Sequence, residues 1–141
     1  MILLDSGPLG RLVHPHRYLE IAAWVQDLLG SGADVVIPEV VDYELRRNLL
    51  LEGLQRSIAQ LDGLKTRLTY LPLNTAALLR AAELWADARR RGIPTSAPAA
   101  LDVDVILAAQ ALQVGGIIAT ENVRHLAQFV ESRRWTDIVV D

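Results

Sequence analysis

The chain of 141 residues contains no cysteine. That absence removes disulfides, thiolate metal ligands and thiol nucleophiles from consideration. Lysine is nearly missing too: Lys65 is the only one, and every other basic side chain, histidine aside, is arginine. No basic excess advertises a nucleic-acid surface, because the formal net charge is −3. A charge of this size does not exclude one, and arginine is the cation suited to bidentate phosphate contacts. Aromatic residues make up only 5%, and Trp24, Trp85 and Trp135 occupy helical or strand-edge settings that read as core. No apolar run approaches the ~20 residues of a membrane span. The opening MILLD looks like a strand and not like a secretory leader. There is no glycine-rich phosphate loop ending in Lys-Ser or Lys-Thr, so a P-loop nucleotide site is excluded. With 51% hydrophobic residues and no linker, repeat or low-complexity stretch, the expectation is one soluble, cytoplasmic domain spanning residues 1–141. A chain of this length buries about 68–70% of its unfolded surface.

What is present is an alternation of short apolar runs and amphipathic stretches. Met1 to Leu4 reads as a strand ending at Asp5, SGPLG as a turn, and Gly10 to Val13 as a fragment of a short helix. Tyr18, Leu19, Ile21, Ala22, Val25, Leu28 and Leu29 recur at helical spacing until GSG stops them. Val35 to Ile37 is a β-branched strand, and Pro38 suits the first turn of the helix PEVVDYELRRNLLLEG. Leu54, Ile58, Leu61 and Leu64 mark another helix. Thr69 to Leu73 reads as a strand that Pro72 assigns to an edge or a strand end. Asn74 is a good N-cap for a helix ending at Gly92, and IPTSAPAA reads as a loop. A short helix around Asn122 to Val130 and a last strand, Asp137 to Val140, complete the chain. Strands alternating with helices predict a three-layer α/β/α domain around a mostly parallel sheet.

The organising stretch is Leu101 to Asn122, LDVDVILAAQALQVGGIIATEN. Asp102 and Asp104 are read in the first turn of an apolar helix, Gly115-Gly116 as its stop, and Ile117 to Ala119 as a strand buried on both faces. Carboxylates beside so apolar a helix are costly unless they are paired. In open parallel sheets ligands collect beyond the carboxyl ends of the strands. Asp5 follows the first strand, and Thr120 and Asn122 follow the fourth. Glu44 shares a helical face with Val40 and Val41. Convergence of positions 5, 44, 104 and 122 would make an oxygen-rich pocket suited to Mg²⁺ or Mn²⁺. Such a site lowers the pKa of a bound water and stabilises a phosphoryl oxyanion. Each residue also has a plainer role. Asp5 makes an Asx-turn, Glu44 pairs with Arg46 or Arg47, and Asp102 and Asp104 complement the helix dipole. Thr120 and Asn122 would then cap the following helix. His14 and His16 flank a proline in a solvated loop, and His125 lies near the proposed pocket. Arg89, Arg90 and Arg91 suit a helix C-terminus, whereas Arg46, Arg47 and Arg124 are the candidates for RNA contact.

These residues resemble a PIN-domain ribonuclease of the VapC-type toxin group. The likeness covers essentially the whole chain: an acid directly after the first strand, an acid in PEVVDYELRR, then DVILAAQAL, then IATENVRHL. It implies a Mg²⁺- or Mn²⁺-dependent endoribonuclease, commonly a homodimer and often restrained by a small antitoxin protein. Carried over residue by residue, the acids are Asp5, Glu44 and Asp104, the last lying three residues before the Leu107-Ala108-Ala109 run. Asp102 is an additional acid that assists the metal or caps the helix. Thr120 and Asn122 match the Thr-x-Asn form of the strand exit, with Asn122 where some members carry a fourth acid. Two other phosphotransfer folds fit less well. A dehalogenase-like phosphatase needs Asp-x-Asp after the first strand, where Gly7 stands here, and a receiver domain needs a late lysine. The reading from another class is a PIN-like module without activity that acts by binding a protein partner.

Overall fold

The computed structural model describes residues 1–16, 18–92 and 98–140. Five short strands form one all-parallel sheet: β1 (Ile2–Leu4), β2 (Val35–Pro38), β3 (Thr69–Leu71), β4 (Ile117–Thr120) and β5 (Ser132–Arg134). Their order is β3-β2-β1-β4-β5. β1 is central, with Ile2 and Leu3 beside Val35 and Val36 on one side and Ile117 and Ile118 on the other. A strand flanked on both sides and covered on both faces must be apolar throughout, and Leu3 and Leu4 are fully buried. Among the described residues seven α-helices complete three layers: α1 (Ser6–Val13), α2 (Leu19–Gly30), α3 (Glu39–Leu51), α4 (Gln55–Arg67), α5 (Thr75–Arg90), α6 (Pro98–Val114) and α7 (Val123–Leu126). The main core joins Leu3, Leu4, Ile37, Leu61, Leu107 and Ile118, all without exposed surface.

The chain departs from its sequence reading in several places. SGPLG is helix, because Asp5 caps α1 through the Ser6 N–H, and Pro8 falls in a first turn whose N–H groups have no helical partner anyway. α6 begins at Pro98, inside the stretch read as a loop; residues 93–97 of that stretch lie outside the described residues. Proline at a first helical position followed by alanines is a competent helix start. α7 is one turn, shorter than expected. The last strand is Ser132–Arg134 and not Asp137–Val140. At the sheet edge β5 needs only backbone pairing with β4, while Ile138 turns inward and its carbonyl accepts from the Trp24 indole N–H at 2.7 Å. Trp85 is not core but 39% exposed.

Gln110 locks the layers together. Fully buried on α6, it donates through Nε2 to the Leu71 carbonyl (2.9 Å) and accepts at Oε1 from the Val40 N–H (3.4 Å). The helix carrying Asp104 is thereby tied to the one carrying Glu44. At the far end of α6, Gly115 has φ +63° and closes the helix. Gly116 is pressed against β1: a Cβ there would stand 2.5 Å from Leu3 Cδ1 and 3.1 Å from the Met1 carbonyl.

Candidate active site

Because all five strands run the same way, β1 and β4 end on one edge of the sheet, and their exits deliver Asp5 and Thr120 side by side. Thr120 is buried and its hydroxyl donates to Asp5 Oδ2 at 2.7 Å. Asp5 Oδ1 accepts from the Ser6 N–H, also at 2.7 Å, so both oxygens of this carboxylate are oriented. The Thr120 hydroxyl oxygen accepts in turn from the Asn122 N–H at 3.0 Å. Asn122 itself holds the N-cap position of α7 without a side-chain capping bond.

Two helices complete the site. Glu44 lies in the second turn of α3, just past the end of β2, and Asp104 in the second turn of α6, which starts at this same edge. A cleft of about 310 Å³ is lined by Asp5, Glu44 and Asp104, with Thr120, Glu121 and Asn122 on its strand-exit side. His125 also lines it, as its position in the sequence suggested.

The three carboxylates are held against their ordinary ionisation. Burial pushes the Asp104 carboxyl up to about 7, and the charges of Asp5 and Glu44 add to the effect. Burial also raises Asp5, although the bonds from Thr120 and Ser6 oppose it. Glu44 is raised by burial as well, opposed by hydrogen bonding with Ser6 and reinforced by the charge of Asp5. Buried carboxyls that also repel one another are costly to ionise together, and positive charge among them would relieve that cost.

Asp102 is elsewhere. α6 starts earlier than the sequence suggested, so neither aspartate lies in its first turn, and Asp102 does not cap the helix. Two residues apart on a helix means about 200° of rotation. Asp102 consequently faces α5, beside Leu78 and Trp85, and is exposed. None of the three arginine candidates lines the cleft. Arg46 is committed to Asp42 (2.9 Å) and Asp62 (2.8 Å), Arg47 lies over the Tyr43 ring at 5.2 Å, and Arg124 is exposed on α7. Asp42, buried, also accepts from the Tyr70 hydroxyl at 2.8 Å. Burial works against its charge, but the bonds from Tyr70 and Arg46 prevail and hold its carboxyl below the usual range.

Two polar residues of the cleft escaped the sequence reading. Ser6 was passed over as turn composition, yet it contacts both Asp5 and Glu44. Glu121 stands between the two matched residues of Thr-Glu-Asn; it borders the cleft and forms an ion pair with Arg11 on α1. Gly7 gives it room, since a Cβ there would lie 3.1 Å from Glu121 Oε2.

Residues 2–129 match the family described as the PIN domain. The chain belongs to the PIN-domain family. Members of that family are generally nucleases, and the fold of this PIN domain is of the VapC type. A chain of VapBC2 from Rickettsia felis, solved bound to a DNA fragment from its promoter, superposes with a TM-score of 0.78 at 16% identity; 96% of this chain and 99% of that one are covered. DNA-bound VapBC from Salmonella typhimurium gives 0.74 at 20% identity, over 95% and 97% of the two chains. VapBC-1 from nontypeable Haemophilus influenzae gives 0.73 at 23%, over 97% and 100%. At these identities the likeness is one of fold. Comparison with the curated proteins finds no match.

The three converging carboxylates offer acidic oxygens alone, which is the chemistry that suits a hard divalent cation. Among the described residues, no three His, Cys, Asp or Glu side chains are spaced to enclose an ion by themselves. Mg²⁺ fits such an arrangement, since it keeps several waters and is ordinarily held by one or two carboxylates. No helix among the described residues is long and apolar enough to cross a membrane.

Proposed function

We propose that this PIN domain is a divalent-metal-dependent endoribonuclease and the toxin of a toxin–antitoxin pair. The observation that carries the reading is the convergence of Asp5, Glu44 and Asp104, from three distant segments, into one cleft where each carboxyl is raised. In this reading Asp5, Glu44 and Asp104 would hold Mg²⁺ or Mn²⁺ together, one or two of them directly and the rest through the ion's waters. When bound, the ion supplies a water of lowered pKa and Lewis-acid stabilisation of the phosphoryl oxygens. The residues do the rest. Thr120 and Ser6 keep both Asp5 oxygens aimed, so no rotamer search precedes binding. Asp104 releases a proton on becoming a ligand, which makes metal affinity fall at acid pH. Asn122 supplies a neutral amide at the rim, and Arg47 and Arg124 are placed outside the cleft for more distant phosphates.

A small antitoxin protein is the proposed partner, because structures that share this fold were solved as VapBC assemblies. A homodimer is proposed as well, on the large apolar side chains left exposed along α5 (Leu78, Leu79, Trp85) and at the end of α3 (Leu50, Leu51).

The deciding experiment incubates the native chain and Asp5→Asn with a panel of structured RNAs in Mn²⁺, with and without EDTA, beside thermal melts across a Mn²⁺ series. Expected are EDTA-sensitive cleavage by the native chain only and a stabilisation of about 2.7 kcal/mol at a hundredfold excess over the dissociation constant. Metal-independent melting with no cleavage of any RNA would defeat the enzyme reading and leave the protein-binding module.

A further inference from the structure

Beside the acidic cleft runs a groove of opposite character. It lies between α1, α2 and α4, its walls include Arg11, Leu12, Tyr18, Gln26, Gln60 and Arg67, and among the described residues no carboxylate lines it. The two concavities meet at one ion pair: Glu121 borders the acidic cleft and Arg11 borders the groove.

The junction carries an aromatic cluster. The Arg11 guanidinium lies 5.2 Å from the centre of the Tyr18 ring. His14 meets the same ring near edge-on at 5.3 Å and His16 stands 5.6 Å from His14. His14 Nδ1 lies 3.1 Å from the His16 backbone nitrogen and 3.3 Å from the His16 carbonyl oxygen, so the two histidines are held together. Tyr18 occupies the N-cap of α2, makes no side-chain capping bond and is 45% exposed. Serine, threonine, aspartate or asparagine would start that helix better. Helix capping therefore gives no reason for a tyrosine here.

We infer that this face seats a single-stranded RNA segment beside the scissile phosphate, one base stacked on Tyr18 and an adjoining phosphate on Arg11. The inference rests on the nuclease reading and deepens it. A polyanion approaching Asp5, Glu44 and Asp104 is repelled until metal arrives, whereas the neighbouring groove presents two guanidinium groups and two amides. An exposed aromatic ring flanked by arginine is a sequence-tolerant platform for an unpaired base. A phosphate reaching Arg11 competes with Glu121 for the guanidinium, so strand binding and the state of the cleft wall are coupled.

The test uses a single-stranded RNA carrying 2-aminopurine, whose emission is quenched on stacking, with Asp104→Asn as the non-cleaving parent in Mg²⁺. The parent is expected to bind with quenching, and Tyr18→Phe in that background to keep both. Tyr18→Ala should lose the quenching and bind about tenfold more weakly. Arg11→Gln should lower the slope of log affinity against log salt by about 0.7, the share of one phosphate contact. If Tyr18→Ala does not fold, Tyr18→Leu takes its place, with bulk but no stacking ring. Tyr18→Ala or Tyr18→Leu binding and quenching like the parent overturns the platform. The two readings fail separately: cleavage by the native chain beside unchanged Tyr18 variants removes only the platform. Tyr18-dependent quenching in a chain that neither cleaves nor binds Mn²⁺ supports the platform and removes the nuclease.

Discussion

Asp104 retains its proton in the fold to about pH 7, against an ordinary value of 3.8. Between these two values the folded state binds more protons than the unfolded one, so stability falls as pH rises and levels off above about 7. Asp5 and Glu44, also raised, act in the same direction over their own ranges. Without metal the chain should therefore melt lower at pH 8 than at pH 5.5. Asp104→Asn should lose much of that slope and melt a few degrees above native at pH 8, at about 2–8 °C per kcal/mol for domains of this size range. A native chain that is more stable at pH 8, or an Asn variant with an unchanged slope, contradicts the assignment. Thr120 makes a different point. Thr120→Val keeps the shape but deletes the donor to Asp5 Oδ2, so titration calorimetry should find Mn²⁺ affinity reduced about 10–100-fold with the fold retained. Unchanged affinity would mean that Asp5 needs no orientation.

α6 holds the site's geometry at the level of elements. Gln110→Leu would leave the Leu71 carbonyl and the Val40 N–H without their partner in a buried setting. Chemical denaturation should register a loss of about 1–3 kcal/mol; a variant as stable as native would mean that neighbouring groups or water replace the amide. α6 also explains what could be read in advance. Its acid-then-apolar pattern, its glycine stop and the strand after it are all visible as periodicity, and so are Asp5 and Thr120 as strand exits. Its true start was not visible, because Ala-Pro-Ala-Ala resembles loop composition. Three residues of offset moved both aspartates from the first turn into the second, and only helix geometry then separates Asp102 from the cleft. β5 was hidden for another reason: an edge strand paired through its backbone needs no apolar alternation, so Ser132-Arg133-Arg134 gave no signal. The engagement of Arg46 with Asp62 depends on how α3 meets α4, which no local pattern encodes.

For the molecule as a whole, the exposed leucines of α5 and α3 give a prediction about assembly. Sedimentation should find the native chain as a dimer and Leu79→Glu as a monomer. The charge is placed on a residue already 63% exposed, so the variant protomer should still fold. A native chain that sediments as a monomer at all concentrations would remove the homodimer.

The Asp5–Thr120 bond spans 115 residues of sequence. On a ribosome adding about 5–20 residues per second, Thr120 is made roughly 6–23 s after Asp5. Throughout that interval the first acid has neither its hydroxyl donor nor the fourth strand's wall beside it. A growing chain therefore carries no assembled cleft, whatever that cleft acts on, and a chain stopped before Thr120 has the first three strands but not the complete acidic cleft. For a protein proposed to attack RNA, the topology of the sheet is itself a delay, because the site cannot exist until the ribosome has passed the fourth strand.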